Sequence, residues 1–317
     1  MRRKQEFKDY DSNGKDRKWK ERKLQNIELG RRLEVLGYKA FARVYQCAEV
    51  LNFKMKQSDG KLKLKQAWFC KSKLCPMCNW RRSMKYGAQI GQIIDVALKR
   101  YPKARFVFLT LTVKNVSGEE LGDELRRLTK SFDRLFRRAK VKRSLIGYLR
   151  SVEITYNSKR DDYHPHIHVL LMLKSSYFNS KDNYIKQAEW ADMWKQSAKL
   201  DYMPIVNVKK VKPNQRKAKD EMDLRGAIVE TAKYPIKPIE IMGQNEEQKL
   251  KITDDLMQAL NNKRQIGFGG LFREIRKELQ LEDVEEGDLV HIDDDEEVSE
   301  GVEIVAFWNW NRLIYEV

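Results

Sequence analysis

The chain contains few of the residue types that usually bind metal ions or interrupt helices. Its 317 residues include only four His, four Cys and seven Pro. No apolar run approaches the roughly 20 residues that a membrane-spanning helix needs. The opening residues, Met-Arg-Arg-Lys-Gln-Glu, lack the apolar segment of a secretion signal. We therefore expect no membrane partner and a cytoplasmic location.

Lys and Arg outnumber Asp and Glu outside one acidic stretch. Residues 278–303 hold thirteen Asp and Glu and no Lys or Arg, so the rest of the chain is more basic than the net charge of +17 suggests. This imbalance predicts a polyanionic partner, most simply nucleic acid. A membrane-surface protein is the competing interpretation, but no helix with a Lys/Arg face supports it. The acidic stretch itself is either a solvated linker or a DNA mimic that covers the basic face.

Three of the four histidines lie in one predicted strand, His-Pro-His-Ile-His-Val-Leu-Leu (164–171). Successive side chains of a strand point to opposite faces, so His166 and His168 share a face, about 7 Å apart along the strand. Such a pair suits a metal ion. The alternative is a strand end with solvated or core histidines.

A preceding strand adds a carboxylate to this pair. Residues 146–156 are predicted to form it, with a turn over 157–162. Centring the turn between Lys159 and Arg160 puts Glu153 opposite His166, within a residue of register. Glu153, His166 and His168 would leave open positions on a divalent ion, Mg²⁺ or Mn²⁺. His164 is the rival third ligand, ranked lower because it lies about 13 Å from residue 168.

The four cysteines predict a structural zinc site. Cys75-Pro-Met-Cys78 lets two thiolates reach one ion across a tight turn, and Cys70 and Cys47 would complete a tetrahedron. In a reducing cytoplasm this is the better use of the four thiols. The alternative is two buried thiols and a redox pair. Arg81 and Arg82, just downstream, are candidate DNA contacts.

A helix predicted over about 220–234 carries a second set of polar groups. Glu230, Lys233, Tyr234 and Lys237 fall on one helical stripe, and prolines follow the tyrosine. Nearby lysines favour a phenolate, which is a better nucleophile than a phenol. A structural tyrosine is the alternative.

The loop before this helix is basic. Residues 209–219 hold six Lys/Arg and no acid, and Lys209, Lys210 and Lys212 are candidate DNA contacts, as is Lys237 after the helix. Two tryptophans of the preceding predicted helix, Trp190 and Trp194, could stack on bases. We expect them in the core instead.

Three motifs together resemble one known family. Phe-Leu-Thr-Leu-Thr-Val (108–113), the His strand (164–171) and Glu-Thr-Ala-Lys-Tyr (230–234) look like the motifs of rolling-circle plasmid replication initiators, which are HUH endonucleases, in the same order. The likeness covers about residues 40–240 and includes the cysteine stretch, but not the acidic segment. It implies an α+β fold with a palm-like antiparallel sheet backed by helices.

This fold suggests four consecutive segments. They are a basic N-terminal arm and helix (1–45, of which 1–23 is expected to be mobile and solvated), a zinc module (46–82), an HUH nicking domain (83–245) and a C-terminal helical and acidic extension (246–317).

The resemblance also assigns roles. It makes His166 and His168 metal ligands, Tyr234 the nicking nucleophile that Lys233 assists, and Glu230 the residue that helps a second, terminating cleavage. It implies a plasmid origin exposed as single strand or hairpin, a host helicase and a DNA polymerase, and leaves a homodimer open. The alternatives are an HUH relaxase or transposase, and a non-catalytic zinc-stabilised DNA-binding regulator.

Overall fold

A computed structural model of the chain describes residues 5–11, 13–57, 60–212, 226, 228–229, 245–292 and 301–317. The fold divides into two compact units. Unit 1 comprises Met1–Lys85, Glu246–Asp254 and Glu282–Val317, and unit 2 comprises Tyr86–Asn245 and Asp255–Leu281. This division differs from the four consecutive segments that the sequence predicted, because strands far apart in sequence pair within one sheet.

Helices and strands are interspersed along the chain. The strands are β1 (Val50–Lys56), β2 (Leu62–Ala67), β3 (Arg105–Thr112), β4 (Leu145–Asn157), β5 (Asp162–Leu173), β6 (Val206–Lys210), β7 (Ile266–Gly270), β8 (Gly301–Asn309) and β9 (Ile314–Glu316). The α-helices are α1 (Trp19–Val35), α2 (Phe41–Gln46), α3 (Pro76–Arg100), α4 (Gly118–Phe136), α5 (Ala139–Ser144), α6 (Gln187–Ala198), α7 (Glu246–Ala259) and α8 (Leu271–Glu278). The mixed α+β class is therefore confirmed.

Unit 2 contains a five-stranded antiparallel sheet in the order β6-β3-β5-β4-β7. The histidine strand β5 is central, and the predicted hairpin of β4 and β5 is confirmed. Its turn is fixed by the side chain of Asn157, whose Oδ1 accepts hydrogen bonds from the backbone N–H of Lys159 at 3.1 Å and of Arg160 at 3.2 Å. Asp161 then adopts φ 52°, a left-handed conformation that Asp tolerates better than most residues.

Helix α4 covers one face of this sheet. It begins with a capping box, in which the Ser117 hydroxyl and the Glu120 carboxylate each accept the other residue's backbone N–H. Its buried stripe includes Phe132, whose ring contacts Tyr148 of β4 at 5.3 Å between centroids. Tyr148 and Glu153 are an odd number of residues apart, so Glu153 points to the other face.

Sequence patterns missed β7, because Ile-Gly-Phe-Gly-Gly resembles a turn. The glycines are needed for close packing in this strand. A Cβ at Gly269 would lie 2.2 Å from the Tyr148 ring, and Gly270 adopts φ +55°. The expectation that Trp190 and Trp194 belong to the core is confirmed, since they are 1% and 0% exposed.

Unit 1 contains a four-stranded antiparallel sheet in the order β2-β1-β8-β9. Strands β1 and β2 form an antiparallel hairpin. Strand β8 pairs with the whole length of β1, from Val50↔Phe307 to Lys56↔Gly301. The final residues of the chain thus complete a sheet that starts at Val50.

The expected solvated arm is packed in its described part. The Phe7 ring lies 4.9 Å from the Phe53 ring, and buried Asp9 accepts a 2.8 Å hydrogen bond from Nε1 of buried Trp19. Helix α1 starts at Trp19, whose ring lies 5.8 Å from the Phe53 ring of β1 between centroids. In the described ranges, no helix has both the length and the apolarity needed to cross a bilayer.

Candidate metal centres and nucleic-acid contacts

Three ligand-type side chains converge on the sheet face opposite α4. Glu153 pairs with His166 across β4 and β5, which confirms the predicted register. The Glu153 Oε2 atom lies 2.9 Å from Nε2 of His168 and 3.4 Å from Nε2 of His166. The two Nε2 atoms are 3.1 Å apart. Three donor atoms so close together, on residues that are mostly buried, form a group that can hold a metal ion.

The far side of each imidazole is fixed by an oxygen. Nδ1 of His168 lies 3.0 Å from the Thr110 hydroxyl, and Nδ1 of His166 lies 3.2 Å from the backbone carbonyl of His164. A proton on Nδ1 of His166, donated to this carbonyl, leaves the Nε2 lone pair free for an ion. Such outer contacts orient metal-binding histidines and raise their basicity. The Phe108 ring stacks on His168 at 5.2 Å between centroids, with an interplanar angle of 18°.

Thr110, whose hydroxyl contacts His168, is a residue that the sequence analysis did not select. Threonines are common in strands, so its residue type favoured a structural role. Its position in the sheet identifies it, because Thr110 pairs directly with His168 across β3 and β5.

Glu153 is held in its charged form. The adjacent imidazoles of His166 and then His168 lower the pKa of Glu153 below its ordinary value, and this effect exceeds the opposing effect of burial. A carboxylate beside two imidazoles is a donor set that suits divalent ions with open coordination positions. Among the described residues this group does not include His164, whose ring stacks on His166 at 5.1 Å and whose pKa is lowered by burial.

The four cysteines form a second ligand group in unit 1. All four are buried and unlinked by disulfides. Sulfur–sulfur distances of 3.6 Å join Cys47 to Cys75, Cys47 to Cys78 and Cys70 to Cys78. A tetrahedral ion with bonds of about 2.3 Å to sulfur would place its ligands about 3.8 Å apart. The thiols therefore fit one four-coordinate metal ion.

Neighbouring groups complete the surroundings of the cysteines. The backbone N–H groups of Cys70 and Cys78 donate to the sulfurs of Cys47 and Cys75, at 3.4 and 3.3 Å. The ammonium group of Lys23, which is fully buried, donates to the carbonyls of Tyr45 and Cys47 at 2.5 and 2.9 Å. Burial lowers the pKa of Lys23 to about 8. A cation at this place offsets the negative charge of a metal tetrathiolate.

Arg81 and Arg82 are buried in unit 1 instead of facing solvent. They are 4% and 7% exposed, and both guanidinium groups donate to backbone carbonyls. Arg81 donates to Leu289 and Val290, while Arg82 donates to Lys71 and Ser72. Segment 282–290 passes over them, so a DNA contact by either arginine would require this segment to move away.

Segment 282–290 belongs to the acidic stretch, which was expected to be either a solvated linker or a DNA mimic. The structure of this segment differs from both expectations. Val284 and Leu289 are buried in unit 1, and the ammonium group of Lys85 contacts the carboxylate of Glu282 at 2.6 Å and the carbonyl of Asp288 at 2.7 Å. Residues 282–290 are therefore an integral part of unit 1, because they satisfy its buried cations mainly through backbone oxygens.

Lys209 and Lys210 are exposed on the edge strand β6, and Lys212 is exposed just beyond it. The ammonium group of Lys210 lies 4.9 Å from the centre of the Phe178 ring. Lysines protect sheet edges from unwanted pairing as well as binding phosphates, so the position alone is compatible with both roles.

The candidate nucleophile and its neighbours lie outside the described residues. These are Glu230, Lys233, Tyr234 and Lys237, together with most of the predicted helix. Within that helix, Gly226, Ile228 and Val229 are described and helical. Ile228 and Val229 are buried.

Comparisons with known proteins agree with the motifs. A family model described as "Replication protein" matches residues 61–316. The chain is 54% identical to "Protein rep" of Streptococcus pneumoniae serotype 2 over 98% of this chain and 94% of that protein. It is 48% identical to "Protein rep" of Lactiplantibacillus plantarum over 98% of each. A "Replication protein" of Staphylococcus aureus is 44% identical over 73% of this chain and 98% of its own length. No solved structure matches the chain.

Proposed function

The chain belongs to the replication protein family of plasmid replication initiators, and we propose that it initiates rolling-circle replication by nicking one strand of its plasmid origin. The observation that carries this proposal is the convergence of Glu153, His166 and His168 on the central strands of an antiparallel sheet. That arrangement supports a palm-like HUH fold, in which a histidine pair on a central strand binds the catalytic ion.

Glu153, His166 and His168 would hold the ion that makes the scissile phosphate more electrophilic. A divalent ion, Mg²⁺ or Mn²⁺, would polarise the scissile phosphate when bound. Thr110 and the carbonyl of His164 keep both Nε2 atoms directed at one point, and Glu153 adds a full negative charge there. Because these contacts are made in advance, little reorganisation is needed when the phosphate arrives.

Tyr234 supplies the nucleophile in this proposal. Its phenolic oxygen forms a bond to phosphorus while the bond from phosphorus to the 3′ oxygen breaks. The phenol loses its proton, the 3′ oxygen gains one, and one phosphodiester replaces another. The products are a 5′-phosphotyrosine and a free 3′-OH that primes synthesis. Lys233, on the same helical stripe, favours the phenolate.

Termination requires a second cleavage. Glu230 lies one helical turn before Tyr234 in the sequence, so its carboxylate can activate water near the same phosphate. A host helicase and DNA polymerase would act between the two cleavages, displacing and copying the strand. The cysteine group would hold Zn²⁺ in a closed, structural site, because four thiolates leave no open position.

A supercoiled plasmid that carries the cognate origin tests the proposal. Purified protein with Mn²⁺ should convert the plasmid to open circles, and a chelator should prevent the conversion. The double substitution His166→Ala and His168→Ala should abolish nicking. Origin binding without nicking by the metal-loaded, wild-type protein would instead indicate a non-catalytic regulator.

A further inference from the structure

A second charged site lies within unit 2. A cavity of about 300 Å³ opens between α4, β4 and the loop that joins α7 to β7. Five cationic side chains line it, and no Asp or Glu is among its described lining residues. The cations are Arg126, Lys130, Arg150, Lys263 and Arg264. We call this site the basic cavity.

Local structure brings these five residues together. Arg126 and Lys130 are four residues apart on α4 and so lie on one face of the helix. The loop residue Asn262 adopts φ 52°, and the carbonyl of Gln265 accepts a 2.9 Å hydrogen bond from the backbone N–H of Val152. This bond anchors the loop that carries Lys263 and Arg264 against β4.

The basic cavity and the histidine group lie on opposite faces of the sheet. Arg150 and Val152 line the cavity from β4, and the Arg150 guanidinium lies 5.6 Å from the centre of the Phe132 ring of α4. Glu153, the residue after Val152, points to the other face and contacts His168. A segment of nucleic acid bound at the histidines therefore cannot also fill the cavity.

The positive charge of the cavity favours an anionic ligand. Asp123 forms an ion pair with Arg126, but both side chains are largely exposed, and such a pair contributes little. Five positive charges around so small a space create a positive electrostatic potential, which favours the binding of an anion. Phosphate groups are the anions that clustered Arg and Lys side chains recognise best.

The lining identifies the kind of phosphate ligand. Among the described lining residues there is no aromatic ring on which a base could stack, so the described part of the cavity does not resemble a nucleotide pocket. Arg126, Lys130 and Arg264 are exposed at the rim, so the positive surface continues beyond the cavity. Contacts of this type fix the position of DNA without reading its sequence. We propose that the basic cavity binds the phosphodiester backbone of duplex DNA outside the nick site, an inference that rests on the proposed function.

A charge-reversal variant tests this proposal. Lys130→Glu combined with Arg264→Glu changes two exposed residues of the cavity, and Lys103→Glu combined with Lys142→Glu makes the same charge change at exposed positions that do not line it. Each full-length protein is titrated with a fluorescent duplex of arbitrary sequence across a range of salt concentrations. Circular dichroism checks that each protein is folded, and Lys130→Gln with Arg264→Gln provides a milder variant.

The cavity variant should lose affinity on the order of tenfold at low salt, and its slope of log affinity against log salt should fall by about 2. The control should change much less. Equal losses in both variants would overturn the proposal, because they would reflect overall charge alone. Saturable binding of ATP that the cavity substitutions abolish, with an unchanged duplex slope, would also overturn it in favour of a small phosphate ligand. Nicking of the origin plasmid is measured separately, so a protein that never nicks refutes the proposed function without deciding this assignment.

Discussion

The orientation of two imidazole rings decides whether the histidine group can hold an ion. Residue type and alternation along β5 were sufficient to predict that His166 and His168 share a face. Glu153 was predictable as well, because a short turn centred between Lys159 and Arg160 fixes the register of the hairpin. Thr110 was not, because its role depends on a neighbouring strand that is more than fifty residues away in sequence.

Substitution of Thr110 should weaken metal binding without removing a ligand. Thr110→Val keeps the shape of the side chain but removes the oxygen that lies 3.0 Å from Nδ1 of His168. We expect Mn²⁺ affinity to fall by about 10- to 100-fold, since outer contacts of metal-bound histidines have effects of this size. Titration calorimetry with Mn²⁺ measures the change.

Thr112→Val is the matched control. Thr112 lies on the same strand and face, and its hydroxyl donates to the carbonyl of Ile205 instead of contacting an imidazole. Its substitution should leave Mn²⁺ affinity nearly unchanged. Similar losses for both variants would mean that Thr110 acts through strand stability and does not orient His168.

At the scale of elements, the cysteine group holds together segments that are distant along the chain. Cys47 follows α2, Cys70 follows β2, and Cys75 and Cys78 flank the start of α3. The Cys-x-x-Cys spacing was enough to predict a metal site, because few other arrangements place thiols so close. The packing of Lys23 beneath it could not be predicted, since a lysine in a basic, helical stretch normally faces solvent.

Cys75→Ser should release the structural metal and unfold unit 1. Removing one thiolate opens a closed tetrahedral site whose binding free energy also stabilises the fold. Elemental analysis should show about one zinc ion per wild-type chain and markedly less in the variant. Met77→Leu is a control between the same two ligands, buried but without a ligand role. A metal-free variant that melts like the wild type would refute the structural role.

The C-terminal strands account for the largest difference between sequence and structure at this scale. Strands β8 and β9 follow an acidic stretch, so the sequence suggested an extension separate from the folded domain. They instead complete the sheet that begins with β1 and β2. Pairing between strands about 250 residues apart cannot be detected in the local sequence pattern of either strand, because β-sheet contacts need not be close in sequence.

Removal of residues 301–317 should therefore destabilise unit 1, not merely expose a DNA-binding face. The truncation deletes β8 and leaves the backbone groups of β1 unpaired along one edge. Hydrogen exchange followed by mass spectrometry should show loss of protection in β1 and β2, with aggregation as a consequence of the new edge. Retained protection of β1 would show that β8 contributes little to the sheet.

At the scale of the whole molecule, composition predicted the binding partner more accurately than it predicted the fold. A net charge of +17 indicated nucleic acid, and the family comparisons agree with a replication protein. Charge alone did not show which basic residues face a ligand. Arg81 is buried against carbonyls of segment 282–290, and Arg82 is buried against the carbonyls of Lys71 and Ser72. The five cations of the basic cavity come from separate parts of the sequence and are brought together by the fold.

The central claim is that Tyr234 becomes covalently joined to the 5′ phosphate of the nicked origin strand. Wild-type protein is incubated with origin DNA and Mn²⁺, the denatured adduct is digested, and mass spectrometry locates the nucleotide-bearing peptide. We expect a phosphotyrosine link at Tyr234, and we expect Tyr234→Phe to bind the origin but form no adduct. A link mapped to another tyrosine, or an adduct that persists in Tyr234→Phe, would contradict the account.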